Sequence, residues 1–183
     1  MVVSIRRAAE ADLPALTEIY NDAVVSSTAT LDLVPQTAEQ RKDWLLAHNK
    51  GSHPLLVAEF FAGEPENGAE PGDGMRPAAL TIAGYASLSP LFPMAAYAAS
   101  AELSIYIDRK YRKRGIGRQL MSAGLETARK DPQLHMVVSK ITAGNAASVR
   151  LHEVYGFQKT GVLREIAWKC GQRLDVEIYQ LAV

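Results

Sequence analysis

The spacing of apolar residues changes several times along the chain, and each change marks a new element. Apolar residues at helical spacing follow Glu10, follow Thr37, and return over about 115–130 and after Asn145. Alternating or continuous apolar runs predict strands over 2–6, 55–61, 79–89, 102–107, 136–142, 158–162 and 175–181. This order of strands and helices predicts a mixed α/β fold.

One stretch, 62–77, interrupts the pattern between two strands. It is rich in Gly, Pro and Glu and almost lacks apolar residues, so it cannot bury enough surface to offset the entropy lost on ordering. We predict a flexible loop inserted within one domain that covers 1–183.

The amino-acid composition limits the kinds of molecule that the protein is expected to bind. Twenty basic and 20 acidic residues give a formal net charge of zero, which argues against general binding to nucleic acid. One cysteine, Cys170, excludes an internal disulfide framework, and the histidines show no metal-ligand spacing with carboxylates. No apolar run reaches transmembrane length and no signal-peptide core is present, so we expect a cytoplasmic protein without a membrane partner.

Residues 102–121 join a predicted strand, a basic turn and a helix start. The first N–H groups of a helix lack partners within it, and the helix dipole favours an anion there. Gly115 and Gly117 allow the main chain to approach a ligand closely. The basic residues around this point are Arg112, Lys113, Arg114 and Arg118. The segment predicts a diphosphate site, with a basic surface turn as the alternative.

Two common phosphate motifs are absent from this segment. A GxxxxGK[ST] loop would need Lys and Ser/Thr at positions where neither stands, and a GxGxxG fingerprint would need glycine where Leu120 stands.

The spacing Arg112-x-x-Gly115-x-Gly117 resembles the signature with which the GNAT superfamily of N-acetyltransferases holds the pyrophosphate of acetyl-CoA. A second landmark, an Asn145-started helix ending in Gly156-Phe157, resembles the same superfamily. The resemblance implies a mixed, mostly antiparallel central sheet flanked by helices, with two splayed parallel strands forming the acetyl-CoA site. The coenzyme contacts that it implies are Ile105, Tyr106, Ile107, Arg112, Lys113, Arg114, Gly115, Ile116, Gly117, Arg118, Asn145 and Ser148.

Within the superfamily, nearly the whole chain is similar to the phosphinothricin and methionine sulfoximine acetyltransferases. Matching segments begin at Tyr20 (YNDAV), Thr28 (TATLD), Pro35 (PQT) and Ser148 (SVRLHE). The resemblance implies a homodimer and a small primary amine as acceptor, an amino acid or an analogue.

The chain departs from this branch at positions that bear on the acceptor. The branch usually carries arginines in the connection before its key glutamate, where this chain has Phe92, Met94 and Ala98. Because arginine is the preferred bidentate partner of carboxylate and phosphinate groups, these replacements leave the identity of the amine open.

The resemblance also implies catalytic roles. Glu102 is the candidate general base, acting directly or through a water. His152 stands at the position of the general acid, and it is either that acid or a partner of Glu102 in deprotonating the amine. The candidate substrate contacts are Thr30, Leu31, Lys169 and Asp175, the last two alternatively forming a subunit contact.

The resemblance therefore implies an acetyl-CoA-dependent N-acetyltransferase, and we expect no metal to be needed. The alternative from another class is a sensor module that binds acetyl-CoA without turnover. A serine hydrolase is disfavoured because the chain has no GxSxG elbow.

Overall fold

The computed structural model describes residues 2–62 and 79–183. Apart from Ala62, the predicted loop 62–77 lies outside the described residues. The helices and strands, in chain order, are β1 (Ser4–Arg7), α1 (Leu13–Ser26), α2 (Ala38–Ala47), β2 (Leu55–Ala62), β3 (Ala79–Pro90), β4 (Ser100–Ile107), α3 (Ile116–Lys130), β5 (Met136–Thr142), α4 (Ala146–Val154), β6 (Gln158–Lys169) and β7 (Gln172–Ala182).

The strands form one mixed sheet of seven, in the order β1-β2-β3-β4-β5-β7-β6. Every pairing that the structure describes is antiparallel except β4 with β5. The predicted mixed, mostly antiparallel sheet is therefore confirmed, and its one parallel pair lies at the centre.

Helices cover the two faces of the sheet. The apolar side of α3, which includes Leu120, Met121 and Leu125, is fully buried in the main core cluster. Helices α1 and α2 build a second cluster around Leu55 and Tyr85 on the opposite face. Because side chains alternate along a strand, each residue of β4 and β5 faces one of these helix layers.

The C-terminal hairpin is longer than the sequence predicts. Strands β6 and β7 reach the turn at Cys170 and Gly171, both at positive φ, whereas the apolar pattern predicts strands only over 158–162 and 175–181. Strand β6 is an edge strand, most of its residues are exposed, and its pairing shifts register twice. An exposed, bulged strand loses the apolar alternation that reveals a half-buried one.

Helix α2 begins after Thr37, as the sequence predicts. The side chains of Thr37 and Gln40 cap each other's main-chain N–H groups at this end. The helix ends at Ala47, and His48, which follows it, has an extended conformation.

Gly84 sets the close approach of β3 to β4. A Cβ atom at Gly84 would lie 2.6 Å from the main-chain oxygen of Tyr106 and 2.8 Å from Cδ1 of Ile107. The glycine therefore lets β4 pack in the observed position beside β3.

Candidate active site

Strands β4 and β5 pair only at their beginnings. Their described register runs from Ser100 opposite Met136 to Glu102 opposite Val138 and then stops. Strand β4 continues to Ile107, paired with β3 alone. A gap therefore opens beside β4 from Leu103 onward, which confirms the predicted splay of two parallel strands.

Alternate main-chain groups of β4 face this gap. The N–H of Leu88 donates to Pro54 on the β2 side, so its partner across the β3–β4 ladder, Leu103, directs its own main chain away from β3. Because the direction of the main-chain groups alternates along a strand, those of Ile105 and Ile107 also point away from β3. The predicted contact Tyr106 differs, because its main chain faces β3 and its ring lies on the α1–α2 face.

The wide end of the gap meets the start of α3. Gly115 occupies the N-cap position with φ of 80°, and no side chain caps this helix. The main-chain oxygen of Gly115 accepts from the N–H groups of Arg118 and Gln119. Ile116 and Gly117 come before Arg118 and Gln119 in the first turn of α3. Their N–H groups have no acceptor within the helix.

The basic turn before α3 is exposed, and hydrogen bonds to residues at the end of β4 fix its conformation. The carboxylate of Asp108 accepts from the N–H of Lys110 at 2.8 Å, and Nε of Arg112 donates to the oxygen of Ile107 at 3.2 Å. The positively charged side chains at this point are exposed: Arg112, Lys113, Arg114 and Arg118. Positive charge and free N–H groups thus meet where the sequence predicts a diphosphate.

A groove lies beside this turn, on the α1 side. It has a volume of about 470 Å³ and is lined by Glu18, Asn21, Asp22 and Pro35 on one side and by Asp108, Arg109 and Lys110 on the other. An ion pair between Arg109 and Asp22, at 3.0 Å, crosses between the two sides. The sequence did not single out this groove.

Glu102 lies at the narrow end of the gap. Its Oε2 accepts from Nζ of Lys140 at 2.7 Å, and its side chain is 21% exposed. Lys140 belongs to β5, two residues past the last pair with β4. Lys140 was not among the predicted site residues, although the two-residue period of β5 places it on the same face as Val138, the partner of Glu102.

His152 lies on the other face of the sheet and is only 4% exposed. Its Nδ1 is 2.8 Å from the main-chain oxygen of Ser148, and its Nε2 is 2.9 Å from Oγ of Ser139. Burial lowers the pKa of the His152 imidazole, and the bond to Ser148 opposes this. Val138 shares a face with Glu102, so the next residue, Ser139, and the histidine bound to it face the opposite layer. The structure does not bring Glu102 and His152 together.

Two other residues of the second landmark form the helix cap. Oδ1 of Asn145 accepts from the N–H of Ser148 at 3.2 Å, which begins α4. Tyr155, after the end of α4, donates from its hydroxyl to the main-chain oxygen of Arg118 at 2.8 Å. This bond ties α4 to the start of α3.

A polar cluster around Thr30 forms on the α1–α2 face. Nζ of Lys169, a buried residue from the end of β6, donates to the oxygen of Thr30 at 2.7 Å. The hydroxyl of Tyr20 lies 3.0 Å from that of Thr30 and donates to Asp32 at 2.8 Å. Burial raises the pKa of the Tyr106 hydroxyl, and its interaction with the side chain of Thr30 opposes this. The predicted residues Thr30 and Lys169 therefore meet, although 139 positions separate them.

The other two predicted substrate residues lie differently. Leu31 is 38% exposed beside this cluster. Asp175 accepts from the main-chain N–H of Glu165 at 2.8 Å and so supports the second bulge of β6. Asp175 thus shapes the hairpin that carries Lys169.

Arg41 is a buried cation that was not among the predicted site residues either. It is 2% exposed, its guanidinium lies 3.7 Å from the ring centre of Trp44, and it donates to the hydroxyl of Tyr85 at 3.3 Å. Its Nε has no hydrogen-bond partner among the described residues. Arg41 packs against these aromatic rings on the α1–α2 face of the sheet, which also carries the Thr30 cluster.

A sheet that opens at one parallel pair, with an uncapped basic helix start at the mouth of the gap, defines a class: the N-acetyltransferases that bind acetyl-CoA. The family model described as acetyltransferase (GNAT) domain matches residues 3–158, and the chain belongs to this family. It is an enzyme of the acyltransferase type that uses acetyl-CoA as co-substrate.

Curated relatives resemble the chain over almost its full length. An L-methionine sulfoximine/L-methionine sulfone acetyltransferase of Pseudomonas paraeruginosa is 36% identical over 181 residues, covering 99% of this chain and 95% of the relative. A phosphinothricin N-acetyltransferase of Streptomyces coelicolor is 36% identical over 179 residues, covering 97% and 95%. The structure of yncA from Salmonella typhimurium with its cofactor acetyl-CoA superposes with a TM-score of 0.83, at 31% identity, covering 100% of this chain and 94% of that one.

Among residues 2–62 and 79–183, no helix combines the length and the apolar character needed to cross a bilayer. In the same ranges, no group of three or more His, Cys, Asp or Glu side chains is arranged to hold a metal ion.

Proposed function

We propose that this enzyme transfers the acetyl group of acetyl-CoA to the primary amine of an amino acid or a close analogue. The observation that carries the proposal is the gap beside β4, which runs from the basic turn before α3 to Glu102 at its narrow end. The relatives that share the full length of the chain support an amino-acid acceptor.

The coenzyme would lie along the gap. Its diphosphate would accept from the N–H groups of Ile116 and Gly117, with the exposed cations of the basic turn around it. Its pantetheine amides would pair with main-chain groups of Ile105 and Ile107 in the manner of an added strand. Asn145 and Ser148, at the start of α4, would flank this arm.

Glu102 would act as the general base at the narrow end. The acceptor ammonium loses a proton to the carboxylate, directly or through a water, and the freed nitrogen attacks the thioester carbonyl. The C–N bond forms, the C–S bond breaks, and the thiolate of CoA takes up a proton. Lys140 binds the carboxylate before the amine arrives, so the incoming ammonium would replace one cation with another.

The residues that precede Glu102 favour an acceptor with a neutral side chain. Phe92 and Met94, which are 47% and 55% exposed, occupy the connection that leads into β4 and Glu102. An anionic phosphinate would find no arginine at these positions, whereas a neutral sulfone or sulfoximine loses less on contact with apolar groups.

A panel of amines tests this function. We expect thiol release from acetyl-CoA with methionine sulfone or methionine sulfoximine, at a kcat/KM about tenfold or more above that for phosphinothricin, because one charge-assisted hydrogen bond is worth about 1.5 kcal/mol or more. Binding of acetyl-CoA without thiol release from any amine, common amino acids included, would favour the sensor instead. If phosphinothricin were acetylated as efficiently, the preference for a neutral acceptor side chain would be wrong, but the acetyltransferase function would stand.

We propose a homodimer formed through the edge strand β6. Leu163, Ile166 and Trp168 are 48%, 60% and 62% exposed on this strand, and contact with a second copy would cover them. We expect sedimentation velocity to show twice the chain mass and Trp168→Arg to shift the protein to monomer. Leu46→Arg, a matched change at an exposed leucine of α2, should stay dimeric. A monomeric wild type would contradict the proposal.

We also propose a cytoplasmic location, which suits a chain with a single free cysteine.

A further inference from the structure

Ser139 lies where β4 and β5 separate. It follows Val138, the last residue of β5 that pairs with β4, and it is 1% exposed. Its Oγ donates to the main-chain oxygen of Leu103 at 3.0 Å. In a continued parallel ladder that oxygen would accept from the main chain of β5. The side chain of Ser139 therefore replaces the ladder bond at the first position where it is lost.

His152 binds the same hydroxyl from the α4 side. The main-chain oxygen of Ser148 can only accept, so the hydrogen of a neutral imidazole belongs on Nδ1, and Nε2 is then an acceptor. The single proton of the Ser139 hydroxyl is shared between Nε2 of His152 and the oxygen of Leu103. The three groups form one network that joins α4 to β4 through β5.

We propose that Ser139 is a positioning residue of the transferase, and that His152 acts through it. The network holds the main chain of Leu103 at the narrow end of the gap and thereby fixes Glu102, the adjacent residue, toward the thioester. The inference rests on the proposed function for its activity readout. It gives His152 a role that does not require contact with either substrate.

The surroundings of His152 support a positioning role. The ring packs against Phe157 and Tyr179, at centroid distances of 4.8 and 6.4 Å, among otherwise apolar side chains of the main core. A buried polar pair in such a place costs stability relative to apolar packing unless all its groups are bonded. Both ring nitrogens and the hydroxyl oxygen have hydrogen-bond partners here, and one of these partners is on the strand that carries Glu102.

Substitutions at Ser139 test the proposal in the full-length enzyme. Ser139→Ala should lower kcat by about 10–100-fold, because displacing a reacting group by up to about 1 Å has effects of this size. The dissociation constant of CoA should stay within about twofold, since the diphosphate contacts lie at the far end of β4. Ser139→Thr restores the hydroxyl and should recover most of kcat. Ser52→Ala removes another buried hydroxyl, away from the gap, and should leave kcat unchanged.

A double-mutant cycle tests the route through Ser139. His152→Gln and Ser139→Ala should each lower kcat, and the double variant should be no slower than the slower single variant. Additive losses would show that His152 acts directly and would overturn the proposal. So would a Ser139→Ala enzyme that retains wild-type kcat. If Ser139→Ala does not fold, Ser139→Cys keeps the volume with a much weaker donor and replaces it in the cycle.

Nitrogen NMR of the His152 ring gives a readout that is independent of turnover. The wild type should show the Nδ1–H tautomer, and Ser139→Ala should shift the Nε2 resonance. An Nε2–H tautomer, or an unchanged resonance, would contradict the network. If the wild type releases no thiol with any amine, the proposed function fails while this measurement still decides the network.

Discussion

Replacing Gly117 by tryptophan is expected to lower the affinity for acetyl-CoA about 100-fold or more. Gly117 supplies one of the first N–H groups of α3, and a large side chain there would obstruct the approach of the diphosphate. Loss of two charge-assisted hydrogen bonds, at about 1.5 kcal/mol each, gives about 3 kcal/mol, which corresponds to about two orders of magnitude in affinity. Isothermal titration with acetyl-CoA and with CoA measures the change.

The backbone at Gly117 can accept a Cβ atom. Gly117 has no positive φ, and a Cβ atom there would meet only Cδ2 of Leu151, at the ordinary contact distance of 3.5 Å. Gly124→Ala is the matched control in the same helix, because its added Cβ would lie 3.6 Å from Cδ1 of Leu103, away from the diphosphate. We expect wild-type affinity for Gly124→Ala. Retained affinity in Gly117→Trp would refute the diphosphate site at the start of α3.

Glu102→Gln is expected to lower kcat by about 10²–10³-fold while the affinity for acetyl-CoA stays near that of the wild type. Glutamine keeps the shape of the side chain and removes the carboxylate that would accept the proton of the amine, and general bases contribute rate factors of about this size. Steady-state kinetics with the best amine of the panel, together with titration of acetyl-CoA, separates the two quantities.

Glu177→Gln is the matched control for this change. Glu177 pairs with Lys159 at 2.5 Å, and the two side chains are 18% and 42% exposed, close to the 21% and 43% of Glu102 and Lys140. Removing the charge at Glu177 disrupts an ion pair of the same kind outside the gap, so kcat should not change. Equal kcat for Glu102→Gln and wild type would exclude Glu102 from the mechanism.

The local parts of the site could be predicted from the sequence. The strand, basic turn and glycine pair that end in α3 are contiguous, and their spacing alone indicates free N–H groups beside positive charge. The cap of α4 by Asn145 is equally local. The edge strand β6 was predicted too short, because an exposed and bulged strand carries little apolar alternation.

The contacts made by Lys140 and Lys169 are long-range, and the sequence pattern alone does not predict them because it does not give the register of the strands. Lys140 reaches Glu102 only because the two strands pair in one register, and a shift of one residue would place it on the other face. Lys169 reaches Thr30 only because the β6–β7 hairpin folds back to the loop after α1.

The sequence by itself therefore determined the class of fold, the helix start at which we predict anion binding, and the candidate residues Glu102 and His152. The tertiary structure alone decided that these two residues face opposite layers, and that Ser139 stands between His152 and the strand of Glu102. The physical reason is that helix starts and glycine turns depend on neighbours in the chain, whereas the face of a strand residue depends on register, which pairing across the whole sheet sets.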